Sequence, residues 1–286
     1  MKKLTKDWNT NIYCLIGDPI EKSLSPKIHN YIFEANNINS VYVCFNINAK
    51  DLKSTLDSFK ILGIEGFNVT IPHKIKIMSY LDEIDDEARY LGAVNTVKNV
   101  EGRFIGYNTD GLGFIKSLED RNIDIINKDI LILGAGGASH AISTKLALEG
   151  VNKIIILNRT LSKGKKLASE IHEKFDNVKL ECDTLDNFYK YLDIDMIVNC
   201  TTIGMYPDID SSPVDLSMFN NDIIVYDIVY KPIKTKLLHM AERMGMETIE
   251  GIDMLINQGL LSQKIWFNYE TDNLFKDVDE LKKLLI

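Results

Sequence analysis

The stretch "DILILGAGGASHAI", Asp129 to Ile142, decides the fold. Ile130 to Leu133 is an unbroken apolar run, the mark of a strand buried on both faces. Glycines 134, 136 and 137 follow at once, and the residues beyond them read as a helix that Gly150 can end. Glycines at such a junction allow a tight turn and let backbone N–H groups approach an anion at the helix N-terminus, where the dipole favours negative charge. Ser139 stands where a third glycine is usual, so this pyrophosphate-binding pattern is incomplete, and a merely tight connection is the competing reading.

Downstream, "NKIIILNRT", "DMIVNCTTIGM", "DIIVYDIVY" and "METIEG" supply four more apolar strands with helical patterns between the earlier ones. Together they suit a doubly wound parallel sheet. Where such sheets carry an acid for a ribose 2′-hydroxyl, this chain has Asn158, Arg159 and Thr160, followed by Lys163. A carboxylate there would repel a 2′-phosphate, whereas a guanidinium chelates it and an ammonium adds a point charge. The pattern predicts NADP; its competitor is a solvated basic turn leading into Lys163, Lys165 and Lys166.

Upstream, "NIYCLIG" and "VYVCFNI" read as strands around the helix pattern "SPKIHNYIFEANNI". A helix over 51–62, a strand over 67–70 and a helix opening at Pro72 continue an α/β alternation. The stretch "AVNTVKNVEGRFIGYNTD" breaks it, with two extended runs meeting at the hairpin signal Glu101-Gly102. A domain seam is placed near Gly111 to Gly113. The last two helical patterns, from Gly251 onward, have no strand to accompany them and are expected to return to the first domain. The expected division is 1–112, completed by 252–286, and 113–251.

A chain of 286 residues with 45% hydrophobic and 26% charged residues can bury a full core. Its formal charge of −8 disfavours nucleic acid or an anionic membrane as the main partner, so an anionic ligand must meet locally placed cations. Cys14, Cys44, Cys182 and Cys200 are scattered singly, and His29, His73, His140, His172 and His239 form no ligand spacing, so no metal site is expected. No run approaches the roughly 20 apolar residues of a membrane span. A cytoplasmic monomer or homodimer acting on a small molecule is the expectation.

Polar residues cluster at predicted strand ends of the first domain: Ser23 and Ser25 in "SLSP", Thr70 and Lys74 in "NVTIPHK", Asn95 in "AVNT" and Asp110 in "NTDG". Each also has a structural reading: Ser25 and Asp110 as helix N-caps, Asn95 as the end of a turn. His73 and Lys74 are equally eligible for proton transfer on residue type, histidine being the side chain that ordinarily titrates near neutrality.

In order along nearly the whole chain, "GDPIEKSLSPKIHN", "GFNVTIPHK", "GAVNTV", "GYNTDGLGF", "GAGGAS", "NRT", "NCTTIGM", "DIVYKPIKTKLL" and "GIDMLINQG" resemble the shikimate dehydrogenases. The resemblance implies an N-terminal α/β substrate domain, a Rossmann-like NADP-binding domain, and reversible NADPH-dependent reduction of 3-dehydroshikimate to shikimate, a step toward chorismate and the aromatic amino acids. It implies that Lys74 transfers the proton with Asp110 as partner, and that Ser23, Ser25, Thr70, Asn95, Asp110, Tyr230 and Gln258 surround the substrate. Gly134, Ala135, Gly136, Gly137 and Ala138 would hold the pyrophosphate, Asn158, Arg159, Thr160 and Lys163 the adenosine phosphate, and Ile228 and Gly251 would flank the nicotinamide, with Asp86 near the cofactor. Under this reading His73 is a bystander. One departure is Lys22, where many members have histidine.

The chemistry is coherent from below. Reducing a ketone creates an alkoxide, whose charge a positioned ammonium can stabilise and to which it can give its proton. A lysine beside a carboxylate is treated as a coupled pair, which leaves the formal base open. A quinate/shikimate dehydrogenase preferring NAD is disfavoured by Arg159 and by the lack of a carboxylate at Asn158. A catalytically silent NADP-binding ligand sensor is disfavoured by the presence together of Lys74, Asn95, Asp110 and Gln258, because sensing needs no proton donor.

Overall fold

Residues 6–21, 23–268 and 278–285 are described in this computed structural model, so Lys22 lies outside the described residues. The chain divides into two units, 1–113 with 256–286, and 114–255.

The first unit is built on six strands: β1 (Asn11–Gly17), β2 (Ser40–Asn46), β3 (Gly66–Val69), β4 (Glu83–Ile84), β5 (Thr96–Val100) and β6 (Arg103–Tyr107). Their order is β2-β1-β3-β5-β6-β4. β1 runs parallel to both β2 and β3, whereas β5 is antiparallel to β3 and to β6. The reversal is made by Glu101 (φ 53°) and Gly102 (φ 83°), a two-residue loop whose positive φ values match the twist of a hairpin. Helices α1 (Ser25–Ala35), α2 (Leu52–Leu62), α3 (Asp86–Leu91) and the start of α4 (Asp110–Glu119) belong to this unit.

Alternate side chains of β1 serve opposite faces of the sheet, as strand geometry requires. Cys14 and Ile16 enter a core with Leu52, Leu56, Phe59, Phe67 and Phe104, while Tyr13 and Leu15 pack with Phe33, Tyr42 and Trp266. Trp266 comes from the far end of the chain: its indole lies 4.8 Å from the Tyr13 ring, tilted by 38°, and its N–H donates to the Val97 carbonyl at 2.9 Å. Burial of that ring brings the C-terminal chain back onto the first sheet.

The second unit holds β7 (Asp129–Leu133), α5 (Gly137–Leu148), β8 (Lys153–Leu157), α6 (Leu161–His172), β9 (Lys179–Asp183), β10 (Met196–Asn199), β11 (Ile224–Asp227), α7 (Lys236–Arg243) and β12 (Glu247–Glu250). Its order is β12-β11-β10-β7-β8-β9, with every pairing parallel. Apart from the first residues of β7 and β8, the central strands are buried, as expected for a sheet covered on both faces. Helix α8 (Gly251–Phe267) continues the chain out of this unit, and α9 (Val278–Leu285) is tied to α1 by a 2.7 Å hydrogen bond from Tyr31 Oη to Glu280. No helix among the described residues is long and apolar enough to cross a membrane.

Several local expectations are corrected. No helix opens at Pro72: residues 71–75 form turns, and only a short 3-10 helix follows over Lys76–Tyr80. The His73 N–H is bonded to the Thr70 carbonyl and its ring nitrogen lies 2.6 Å from the Ile47 carbonyl, which pins the segment beside the sheet. The five expected strands of the second unit are joined by a sixth, β9, whose half-exposed "KLECD" lacks the apolar run that marks a central strand.

At the ends of β10 and β11, Asp227 is fully buried and accepts hydrogen bonds from Thr235 Oγ1 (2.6 Å), Val229 N (3.0 Å) and Asn199 Nδ2 (3.0 Å). Burial, only partly offset by these donors, pushes its pKa from 3.8 to about 6. Because the folded state holds this proton more tightly, the unfolded chain ionises first as pH rises from about 4, and stability falls until the folded group ionises near 6. We expect Asp227→Asn to remove that loss. In urea unfolding between pH 4 and 7, the variant should gain on the order of 2–3 kcal/mol relative to the parent chain as pH rises. A stability difference that does not change with pH contradicts this.

Candidate active site

The site begins where β3 ends. Thr70 follows the strand, its N–H bonded to the Ile16 carbonyl, and the turn that His73 anchors delivers Lys74 toward Asp110. Lys74 Nζ lies 2.6 Å from Asp110 Oδ2, and both side chains are largely withdrawn from solvent, 14% and 6% exposed. At that burial the pair is held by geometry and low local dielectric rather than by a solvent-screened surface attraction.

Asp110 opens α4, where a carboxylate ordinarily caps its own helix. Here Asn108 does so: its Oδ1 accepts from the N–H groups of Asp110 (3.0 Å) and Gly111 (3.3 Å). The expected capping role for Asp110 is therefore corrected, and its carboxylate is left for side-chain partners. Oδ2 meets Lys74, and Oδ1 accepts from Asn95 Nδ2 at 2.9 Å.

Asn95 does more than finish a turn. Its Oδ1 accepts from the Thr109 N–H at 2.7 Å, which fixes the amide so that Nδ2 faces Asp110, Thr109 Oγ1 (2.9 Å) and Gln258 Oε1 (3.3 Å). Gln258, from α8, is buried with them. The fold thus gathers Lys74, Asn95, Asp110 and Gln258 from segments far apart in sequence. His73, by contrast, is spent on Ile47 and has no bond to this group among the described residues.

Ser23 and Ser25 sit at the start of α1, which the sequence reading gave a Ser25 cap. Ser25 is already helical, with Leu24 in the cap position, and its N–H donates to Ser23 Oγ at 3.2 Å. Among the described residues no hydrogen bond joins Ser23, Ser25 or Thr70 to the Lys74 group. Asp86 is exposed in the first turn of α3, behind Asp85, whose side chain caps that helix. Tyr230 and Ile228 lie in the second unit, on the chain leaving β11.

In that unit β7 ends at Gly134, whose φ of +110° excludes ordinary side chains. Gly136 precedes α5 in extended conformation, and a side chain added there would meet only open space. Gly137 and Ala138 begin the helix. Ala135 lies between, so backbone N–H groups at the helix N-terminus face space that a phosphate can enter, and the glycine loop fits a dinucleotide. Ser139 is buried, and burial pushes the nearby Cys200 thiol up to about 12. Gly251 opens α8 against the β11 terminus: a Cβ there would clash with the Ile228 carbonyl.

The neighbouring strand β8 leads to Asn158, whose Nδ2 donates to the Thr160 carbonyl at 2.8 Å and shapes the turn. Arg159, Thr160 and Lys163 are exposed along it. Asp183, at the end of adjacent β9, binds Asn187, Thr184 and Lys190, and these donors pull its pKa down to about 2. No ion pair engages Arg159 or Lys163 among the described residues, so both remain available to an anion. No group of three or more metal-ligating side chains is found among the described residues.

Reading by residue passed over Asn68, Thr96, Asn108, Thr109 and Ser262, all buried or bonded beside the Lys74 group. One available signal was spacing: Ser262 is four residues after Gln258 and shares its helix face.

Comparison with known proteins covers both units. The model of the shikimate dehydrogenase substrate binding domain matches residues 15–97, and that of shikimate / quinate 5-dehydrogenase matches residues 117–237. A shikimate dehydrogenase (NADP(+)) of Methanocaldococcus jannaschii is 46% identical over 263 residues, 91% of this chain and 93% of the relative. The crystal structure of a shikimate dehydrogenase in complex with NADP+ superposes with a TM-score of 0.89 at 43% identity, covering 98% of this chain and 96% of that one. A shikimate 5-dehydrogenase from Listeria monocytogenes, in complex with shikimate and NAD, gives 0.88 at 34% identity over 99% of each chain. On the family models and these identities, the chain belongs to the shikimate dehydrogenase family.

Proposed function

We propose that this chain is an NADP-dependent oxidoreductase that interconverts 3-dehydroshikimate and shikimate, with Lys74 and Asp110 moving the proton. The buried 2.6 Å Lys74–Asp110 contact, oriented by Asn95, carries the assignment of those roles. When bound, the dinucleotide supplies or accepts the hydride. The Lys74 ammonium faces the oxygen that gains charge as the ketone is reduced, stabilises it and gives up its proton. Asp110 aims that ammonium through the 2.6 Å contact, at side chains 14% and 6% exposed.

Residues 1–112 with 252–286 act as the substrate domain and 113–251 as the NADP domain. Asn95 and Gln258 present amides to the ring hydroxyls, and Ser23, Ser25, Thr70 and Tyr230 complete the contacts to its carboxylate and hydroxyls. A site built from such paired donors and acceptors rejects analogues lacking a matching hydroxyl, because its own buried groups would be left unpaired. Gly134 to Ala138 cradle the pyrophosphate, with Ile228 and Gly251 beside the nicotinamide and Asp86 near the cofactor. Asn158 shapes the turn from which Arg159, Thr160 and Lys163 meet the 2′-phosphate.

Lys74→Ala should lower kcat for shikimate oxidation by about 10²- to 10⁴-fold while changing shikimate affinity only modestly. Turnover unchanged from the parent would remove Lys74 from the reaction. Arg159→Ala should raise the KM for NADP by about 10- to 100-fold and leave that for NAD nearly unchanged, since a charge-assisted contact to phosphate contributes roughly 1.5–3 kcal/mol. Equal effects on the two cofactors would place Arg159 away from the 2′-phosphate.

A further inference from the structure

Behind Asn95 lies a cluster of buried hydroxyls and amides that the catalytic scheme does not use. Thr96, Thr109 and Ser262 are fully buried, and Asn68 is 5% exposed. Ser262 Oγ lies 2.9 Å from the Gln258 carbonyl, 2.8 Å from Thr96 Oγ1, 3.0 Å from Asn68 Nδ2 and 3.3 Å from Thr109 Oγ1. Asn68 Nδ2 also reaches Thr96 Oγ1 at 3.0 Å, while Asn68 Oδ1 accepts from Tyr42 Oη at 2.7 Å. Packing alone could be met by valine and alanine at the hydroxyl positions, and unbonded polar groups there would be costly.

Donor accounting gives the cluster a direction. The Tyr42 hydroxyl holds the Asn68 amide with its NH2 toward Ser262 and Thr96. An amide NH2 has two hydrogens. One from Asn95 goes to Asp110 Oδ1, and the nearer acceptor for the other is Thr109 Oγ1 at 2.9 Å rather than Gln258 Oε1 at 3.3 Å. If Thr109 lost its hydroxyl, the second hydrogen would be left with Gln258 Oε1 at 3.3 Å, and the amide, anchored at Oδ1 by the Thr109 N–H, would be held less tightly toward Asp110 at its Nδ2 end. Ser262 acts at the same junction, because it touches Thr96, Thr109, Asn68 and the Gln258 backbone.

From this we infer that Asn68, Thr96, Thr109 and Ser262 are positioning residues for the reaction, holding Asn95 and Gln258 in the arrangement that aims Asp110 at Lys74. The inference rests on the roles given to Lys74 and Asp110 above. It explains why a serine follows one turn after Gln258 on the same helix face.

The test uses the full chain with NADP and shikimate. Thr109→Val keeps the shape and removes only the hydroxyl; it should lower kcat by about 10- to 100-fold, the scale of a small misplacement of reacting groups. KM for NADP should stay within about two-fold, and Thr109→Ser should restore most of the rate. Ser262→Ala, a second and smaller deletion, should lower kcat in the same direction. In a Lys74→Ala background, Thr109→Val should cost little more, because its effect passes through Lys74. Wild-type kcat in both Thr109→Val and Ser262→Ala overturns the inference, as does an equal loss with and without Lys74. These outcomes are separable from failure of the functional reading, which would show as no shikimate oxidation by the parent chain or none lost in Lys74→Ala; the inference then falls with it.

Discussion

The 2.6 Å contact between Lys74 and Asp110 is the interaction on which the site depends, and it exists because another residue caps α4. A carboxylate in the first turn of a helix competes for the helix's own N–H groups. Asn108 takes those donors, so both oxygens of Asp110 are directed sideways, one to Lys74 and one to Asn95. On the other side of the pair, the turn after β3 is pinned by His73, the residue whose type made it tempting as a base. Two neighbours with no part in the proposed chemistry therefore place the two to which it is assigned.

The same division of labour runs through the fold. Trp266 fastens α8 to the first sheet, and eight residues earlier that helix presents Gln258 to Asn95. In the second unit, the all-parallel sheet ends at Gly134 and Asn158, so the glycine loop and the basic turn emerge from adjacent strands. Asp183, the carboxylate at the end of the next strand, is occupied by its own loop, which leaves Arg159 and Lys163 to an anion. Local cations are thereby left exposed on a chain of net charge −8.

What was legible in the chain was local. The buried runs of β7, β8 and β10, the hairpin at Glu101-Gly102 and the glycine loop each announce themselves within a few residues. Edge strand β9 did not, because its alternating, charged sequence resembles a loop. Capping is the competing reading of Ser25 and Asp110 because capping preference is a property of residue type, whereas the true helix start depends on tertiary contacts one or two residues away. Pro72 failed as a helix opener for the same kind of reason, the Thr70–His73 turn having claimed the backbone. Residue type alone left Lys74, Asn95, Asp110 and Gln258 with bland alternatives; the resemblance of whole motifs singled them out, and the fold brings them together. Thr109 and Ser262 escaped notice because a buried hydroxyl has no sequence signature apart from its spacing.

The most direct measurement is steady-state oxidation of shikimate by the purified chain, followed at the nicotinamide absorbance with NADP and with NAD in parallel. The account predicts turnover with a kcat/KM clearly higher for NADP. Absence of turnover with either dinucleotide, or a clear preference for NAD, would contradict it.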